Sequence, residues 1–139
     1  MSRDTRFTGM TDQQLPLIVV DAANVVGSRP DGWWRDRHGA TERLRDRLVG
    51  LADTGVAGMP GPVEVLMVVE GKARTVTSVP TVATVAASGP GDDRIVDLVA
   101  TAVNRPILVV TADRELRRRV GTLGANVAGP SVLHAHDQA

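Results

Sequence analysis

Three stretches of the chain are apolar at almost every position: residues 15–20, 63–69 and 106–110. Short, continuous runs rich in Val and Ile are the pattern of strands covered on both faces. Residues 81–86 alternate, with several β-branched side chains, and predict a third strand in chain order; residues 126–128 predict a short fifth. Between these runs the apolar period lengthens. Leu44, Leu48, Leu51 and Ala52 share one face over residues 40–52, with Arg43, Arg45, Asp46 and Arg47 on the others. Ile95, Val96, Leu98, Val99 and Val103 mark a helix over 92–103, and Leu116, Val120 and Leu123 mark another over 113–123, stopped by Gly124. Residues 22–38 read as irregular, broken by Gly27, Ser28, Pro30 and Gly32, and 55–62, 71–80 and 88–91 read as connections.

Strands that alternate with helices, two of them apolar throughout, predict an α/β fold. The expected form is a three-layer α/β/α sandwich around a mostly parallel sheet of four to five strands. The pattern places a single domain at residues 15–130, after a polar leader at 1–14 and before a tail at 131–139. Right-handed crossovers bring all strand carboxyl ends to one edge. That edge is where open α/β sheets bind ligands.

Composition changes this picture little. The 139 residues suffice for one core, and 42% apolar content argues against disorder. Sixteen basic and sixteen acidic residues cancel, so nucleic-acid binding has no support from net charge. Cysteine is absent, which excludes thiolate metal sites and cysteine nucleophiles. The leader is too polar for a secretory signal, and no apolar run approaches the roughly 20 residues needed to span a bilayer. A cytoplasmic protein without membrane contact is the expectation.

The candidate chemistry is a set of acids at strand ends. Asp21 follows the first strand, with Asn24 three residues on; Glu70 follows the second; Asp92 and Asp93 open the helix after the third, with Asp97 one turn along; Asp113 follows the fourth, just after Thr111. Each has a plain structural reading. Asp92, Asp93 or Asp113 caps a helix, Asp21 forms an Asx-turn, and Glu70 and Asp97 face solvent. Jointly they point elsewhere: carboxylates crowded on one edge raise one another's pKa unless a cation intervenes, and Mg²⁺ and Mn²⁺ favour oxygen ligands. Such a site activates water and neutralises a phosphodiester, with Asn24 and Thr111 available to orient a carboxylate, water or phosphate. The chain lacks a P-loop and a D-x-D pair after the first strand, which argues against a P-loop NTPase and an aspartyl-phosphate enzyme.

Three segments, Val19 to Val26, Gly91 to Ile95 and Val110 to Leu116, taken in order and spacing, resemble the PIN-like nuclease domain, specifically its NYN subgroup. The resemblance implies an endoribonuclease that uses Mg²⁺ or Mn²⁺ to hydrolyse RNA phosphodiester bonds. It makes Asp21, Asp93 and Asp113 the catalytic metal ligands, with Asp93 favoured over Asp92 in the acidic pair and Glu70 a looser match. It implies RNA as partner, and leaves open a protein or ribosome that positions it, the oligomeric state, and a toxin or housekeeping role. The chain departs from many relatives at Ala22-Ala23, where they carry glycine or a bulkier polar residue. The alternative is a module that keeps the fold but binds RNA or protein without turnover.

On the substrate side, Trp33 and Trp34 stand among Arg29, Arg35 and Arg37, a composition suited to stacking bases and pairing phosphates. One tryptophan packed on the sheet and the other exposed is the expected compromise. Arg114 and Arg94, each beside an acid, are candidates for phosphate contact or for pairing the acids off. Arg117-Arg118-Arg119 reads as a solvated outer face. His134 and His136 form an isolated H-x-H in the tail.

Overall fold

The computed structural model describes residues 15–102 and 104–133. The leader at 1–14, Val103, His134 and His136 lie outside them. Strand β1 (Leu17–Asp21) runs directly into α1 (Ala22–Gly27). A 3₁₀ turn at Trp33–Arg35 precedes α2 (Arg37–Arg47), and the short α3 (Leu51–Thr54) leads into a small hairpin of β2 (Gly55–Val56) and β3 (Met59–Pro60). Then come β4 (Glu64–Val69), a 3₁₀ turn at Gly71–Ala73, β5 (Ala83–Ala86), α4 (Gly91–Thr101), β6 (Ile107–Val110), α5 (Arg114–Thr122) and β7 (Asn126–Ala128).

The main sheet has five strands in the order β5-β4-β1-β6-β7, all parallel. Side-chain parity builds the layers, because successive residues of a strand point to opposite faces. Ile18 and Val20 of β1, Val65, Met67 and Val69 of β4, and Leu108 and Val110 of β6 pack with Val25 and Val26 of α1 and with Ala40 and Leu44 of α2. Leu17, Val19, Val68, Ile107 and Val109 pack on the other face with Ile95 and Val99 of α4 and Leu116 and Val120 of α5. Both faces of the central strands are therefore dry, which is why their sequence is apolar without alternation. The result is the three-layer α/β/α sandwich expected, with five strands.

The connections differ from the sequence reading in places that matter. Residues 22–27 are helical rather than irregular, because Asp21 caps them and Val25 and Val26 bury against the sheet. Helix α2 starts at Arg37, three residues before the predicted boundary: Asp36 Oδ1 accepts the Gly39 N–H at 2.9 Å, and a Cβ at residue 39 would collide with that carboxylate. The predicted helix over 40–52 divides after Arg47, and the turn lets Leu48 and Leu51 both stay buried. The 55–62 connection contains the β2–β3 hairpin.

Strand order fixes where a site can form. The chain leaves β1 toward β4 and β5, then crosses back through α4 to β6 on the other side of β1. The carboxyl ends of β1 and β6 therefore diverge into a crevice at the point where the order reverses. Among the described residues, no helix is long and apolar enough to cross a membrane.

Candidate acidic active site

Asp21 is the last residue of β1 and the cap of α1, so strand and helix together fix its position. It is only 7% exposed. Its Oδ1 accepts the Asn24 N–H at 3.4 Å, and its Oδ2 accepts a hydrogen bond from the Thr111 hydroxyl at 2.9 Å. The same hydroxyl oxygen accepts the Asp113 N–H at 3.1 Å. Asn24 Oδ1 accepts the Ala112 N–H at 2.8 Å. Two motifs ninety positions apart in sequence are thereby stitched together across the switch point between β1 and β6. Asp113 caps α5 by accepting the Leu116 N–H at 3.1 Å, so its plain structural role is real and coexists with its place at the site.

Asp21, Asn24 and Asp113 line an open pocket with Ala23, Glu70, Pro90 and Asp92. Four carboxylates and a carboxamide supply its polar lining, and among the described residues no cationic side chain does. Glu70 reaches it from the end of β4 by accepting the Gly91 N–H at 2.8 Å. Glu70 thus serves the first N–H of α4 from outside the helix, because Pro90 at the cap position offers no side-chain acceptor; within the first turn Asp92 Oδ1 accepts the Asp93 N–H at 3.0 Å. The fit needs glycine, since a Cβ at residue 91 would strike Glu70 Oε1.

Burial holds the Asp21 carboxyl above the ordinary carboxylate range. The Thr111 hydroxyl and the Asn24 N–H pull it down, while the charges of Glu70 and Asp113 push it up further. Desolvation dominates, as expected for a charged group with dipoles but no cation for company.

Asp93 stands apart. It is well exposed, lies outside the pocket lining, and pairs with Arg119 Nη1 at 3.1 Å. Asp92 touches the same nitrogen at 3.5 Å and faces the pocket with its acid neighbours. Asp97 is exposed on α4. The arginine run is not a uniform solvated face: Arg117 Nε donates to the Thr111 carbonyl at 2.8 Å, Arg119 reaches the acidic pair, and Arg118 pairs with Glu115 at the surface. Arg119 and Gly91 were missed in the sequence, although the first-turn acids of α4 and the first-turn glycine were both visible there. Thr111 is fully buried, which makes it a support for Asp21 rather than a substrate contact. Arg114 is exposed beside Asp113, and neither it nor Arg94 pairs with an acid among the described residues.

The oxygen-only donor set suits a hard divalent cation. Among the described residues, however, no three His, Asp or Glu side chains converge closely enough to cage one. Mg²⁺ rarely needs such a cage; it keeps several waters and is commonly held by one or two carboxylates together with substrate phosphate. Asp21 and Asp113 fit that mode.

On the opposite side of the same edge, Trp33 is half-buried against the α1–α2 core while Trp34 is 56% exposed. The rings meet edge-on, 6.1 Å between centroids, with the Arg37 guanidinium over Trp33 and that of Arg35 over Trp34.

No protein-family profile matches the chain, and no curated protein resembles it significantly in sequence. Its fold does match solved structures. The crystal structure of Rae1 (YacP) from Bacillus subtilis superposes with a TM-score of 0.72 at 16% identity, covering 88% of this chain and 73% of that one. A single-substitution mutant of the same protein gives 0.69 at 19% identity, covering 89% and 76%. At such identity the likeness is one of fold: the chain shares the α/β architecture of Rae1 over most of both lengths.

Proposed function

We propose that the chain is a metal-dependent endoribonuclease of the PIN-like, NYN type, with its site in the acid pocket. One observation carries this reading: a buried carboxylate of raised pKa, Asp21, is held beside Asp113 at the switch point, in a pocket lined, among the described residues, by four acids and no cation. Perturbed carboxylates cluster at functional sites, and this one sits in a crevice. Asp21 and Asp113 would hold Mg²⁺ or Mn²⁺, with Glu70 and Asp92 at the rim to accept from its waters. When bound, the ion would supply a water of lowered pKa and neutralise phosphodiester charge. The protein's own part is positioning. Thr111 fixes Asp21 Oδ2, and Asn24, anchored through Oδ1 by Ala112, leaves its amide N–H groups for a phosphate oxygen. Arg114 offers a positive charge to the RNA backbone beside the acids. Arg119 occupies Asp93, which on this reading positions Asp92 rather than binding the ion.

The test is cleavage of single-stranded RNA with Mn²⁺. Asp21→Asn and Asp113→Asn each lose at least 100-fold in rate; if both cleave like the parent, the reading is wrong. A second reading, a non-catalytic module that binds RNA or protein, draws on the lack, among the described residues, of three acids close enough to cage an ion, and on the capture of the outer acids by Arg119. Calorimetry with Mn²⁺ near neutral pH separates the two, because only the first requires an ion that binds the parent and not Asp21→Asn.

A further inference from the structure

A small pocket of about 140 Å³ opens on the α1–α2 side of the sheet edge. Its floor is Ala22, Ala23 and Val26 of α1, and its walls include Trp33, Arg37 and Glu70. We propose that it receives a single pyrimidine base of the RNA chain, next to the phosphate held at the acid pocket. This inference rests on the nuclease reading for its meaning, but not for its test.

Four observations carry it. First, the space matches one six-membered ring: an apolar cavity of about 150 Å³ is known to hold benzene, and a fused purine exceeds it. Second, the lining suits a neutral heterocycle. Trp33 gives an aromatic wall, and Arg37 lies over its ring at 5.2 Å. Arg37 has donors for a ring carbonyl, while the Glu70 carboxylate and the Thr41 hydroxyl oxygen at the pocket can accept from a ring N–H. With one cation and one carboxylate in the lining, a phosphate finds no net attraction there, whereas a base finds both donors and acceptors. Third, Ala23 and Glu70 line both this pocket and the acid pocket, so the two are separated by a single wall. Fourth, small side chains line it where α1 begins: Ala22 is buried and Ala23 exposed, so a long side chain at residue 23 takes up space at the pocket. The Ala-Ala step, where the sequence parts from the resemblance, thus gains a structural consequence.

The experiment uses Trp33 as reporter. In the Trp34→Phe background Trp33 is the single tryptophan, and its fluorescence is titrated with uridine and adenosine monophosphates in EDTA, without metal or turnover. Saturable quenching by the uridine nucleotide is expected, at least fivefold weaker with the adenosine nucleotide. Adding Ala23→Leu weakens binding at least tenfold while the melting temperature stays within about 2 °C. Arg37→Ala, which does not line the acid pocket, also weakens it, and Asp21→Asn does not. Absence of quenching, equal affinity for the purine, or full binding by both Ala23→Leu and Arg37→Ala overturns the proposal. Base binding with no Mn²⁺-dependent cleavage would leave the pocket standing and remove the nuclease reading; cleavage without base binding would do the reverse.

Discussion

Two groups of acids share the sheet edge, and they are held in opposite ways. Asp21 and Asp113 at the β1–β6 crevice are fixed by neutral donors: the Thr111 hydroxyl and backbone N–H groups. Asp92 and Asp93 at the start of α4 both meet the guanidinium of Arg119. A dipole positions a carboxylate without cancelling its charge, whereas an arginine does both. The inner acids therefore keep their demand for a cation and the outer pair has half satisfied it. On the proposed reading, Asp21 and Asp113 are left for the ion, Asp93 is paired off, and Asp92 stands between, touching Arg119 while lining the pocket.

The largest effect that tests this contrast is on activity. On the proposed reading, Asp21→Asn lowers RNA cleavage by at least 100-fold, equivalent to about 2.7 kcal/mol in the transition state, whereas Asp93→Asn changes it by less than about threefold. Comparable losses from both would erase the distinction. The next effect is on stability. Thr111→Val keeps the shape but leaves Asp21 Oδ2 and the Asp113 N–H without their hydroxyl partner, at a cost of about 1–3 kcal/mol. Thermal melting at neutral pH should fall by roughly 4 °C per kcal/mol, and an unchanged melting point would show that the hydroxyl is dispensable.

A smaller effect has a sign set by the raised pKa of Asp21. The native state binds this proton more tightly than the unfolded chain, so the parent loses stability as pH rises from the ordinary carboxylate value through the raised one. Asp21→Asn carries no such charge. It should melt a few degrees above the parent at pH 7, with the gap closing as the pH falls toward 3.8; a gap that is absent at pH 7 or widens in acid would contradict the burial argument. The smallest effect belongs to the outer pair: Arg119→Ala breaks partly exposed ion pairs and should cost less than about 1 kcal/mol, measurable as a melting shift of at most a few degrees.

The sheet was legible in the sequence because burial on both faces leaves a continuous apolar signature in β1, β4 and β6. The acid edge followed from topology, since strand ends are where parallel strands expose polar residues. Helix α1 was not legible. Six residues hold too little period to see, and the breakers just after them dominate the pattern. The division of labour among the acids was hidden for a different reason. Glu70 meets Gly91 across 21 positions, and Arg119 meets Asp93 across 26; neither pairing leaves a local mark. In the arginine run, spacing distinguishes faces of α5 but does not say that one face meets α4.

Asp21 ends a strand and caps a helix with no residue between the two elements. A joint with no loop has no slack. Re-aiming its carboxylate requires moving the sheet or unwinding α1. Trp33, by contrast, sits on the connection from Ser28 to Asp36 that joins α1 to α2. The two sides of the edge therefore differ in how the backbone holds them: the acid corner sits at a joint with no loop, and Trp33 on a connection between two helices.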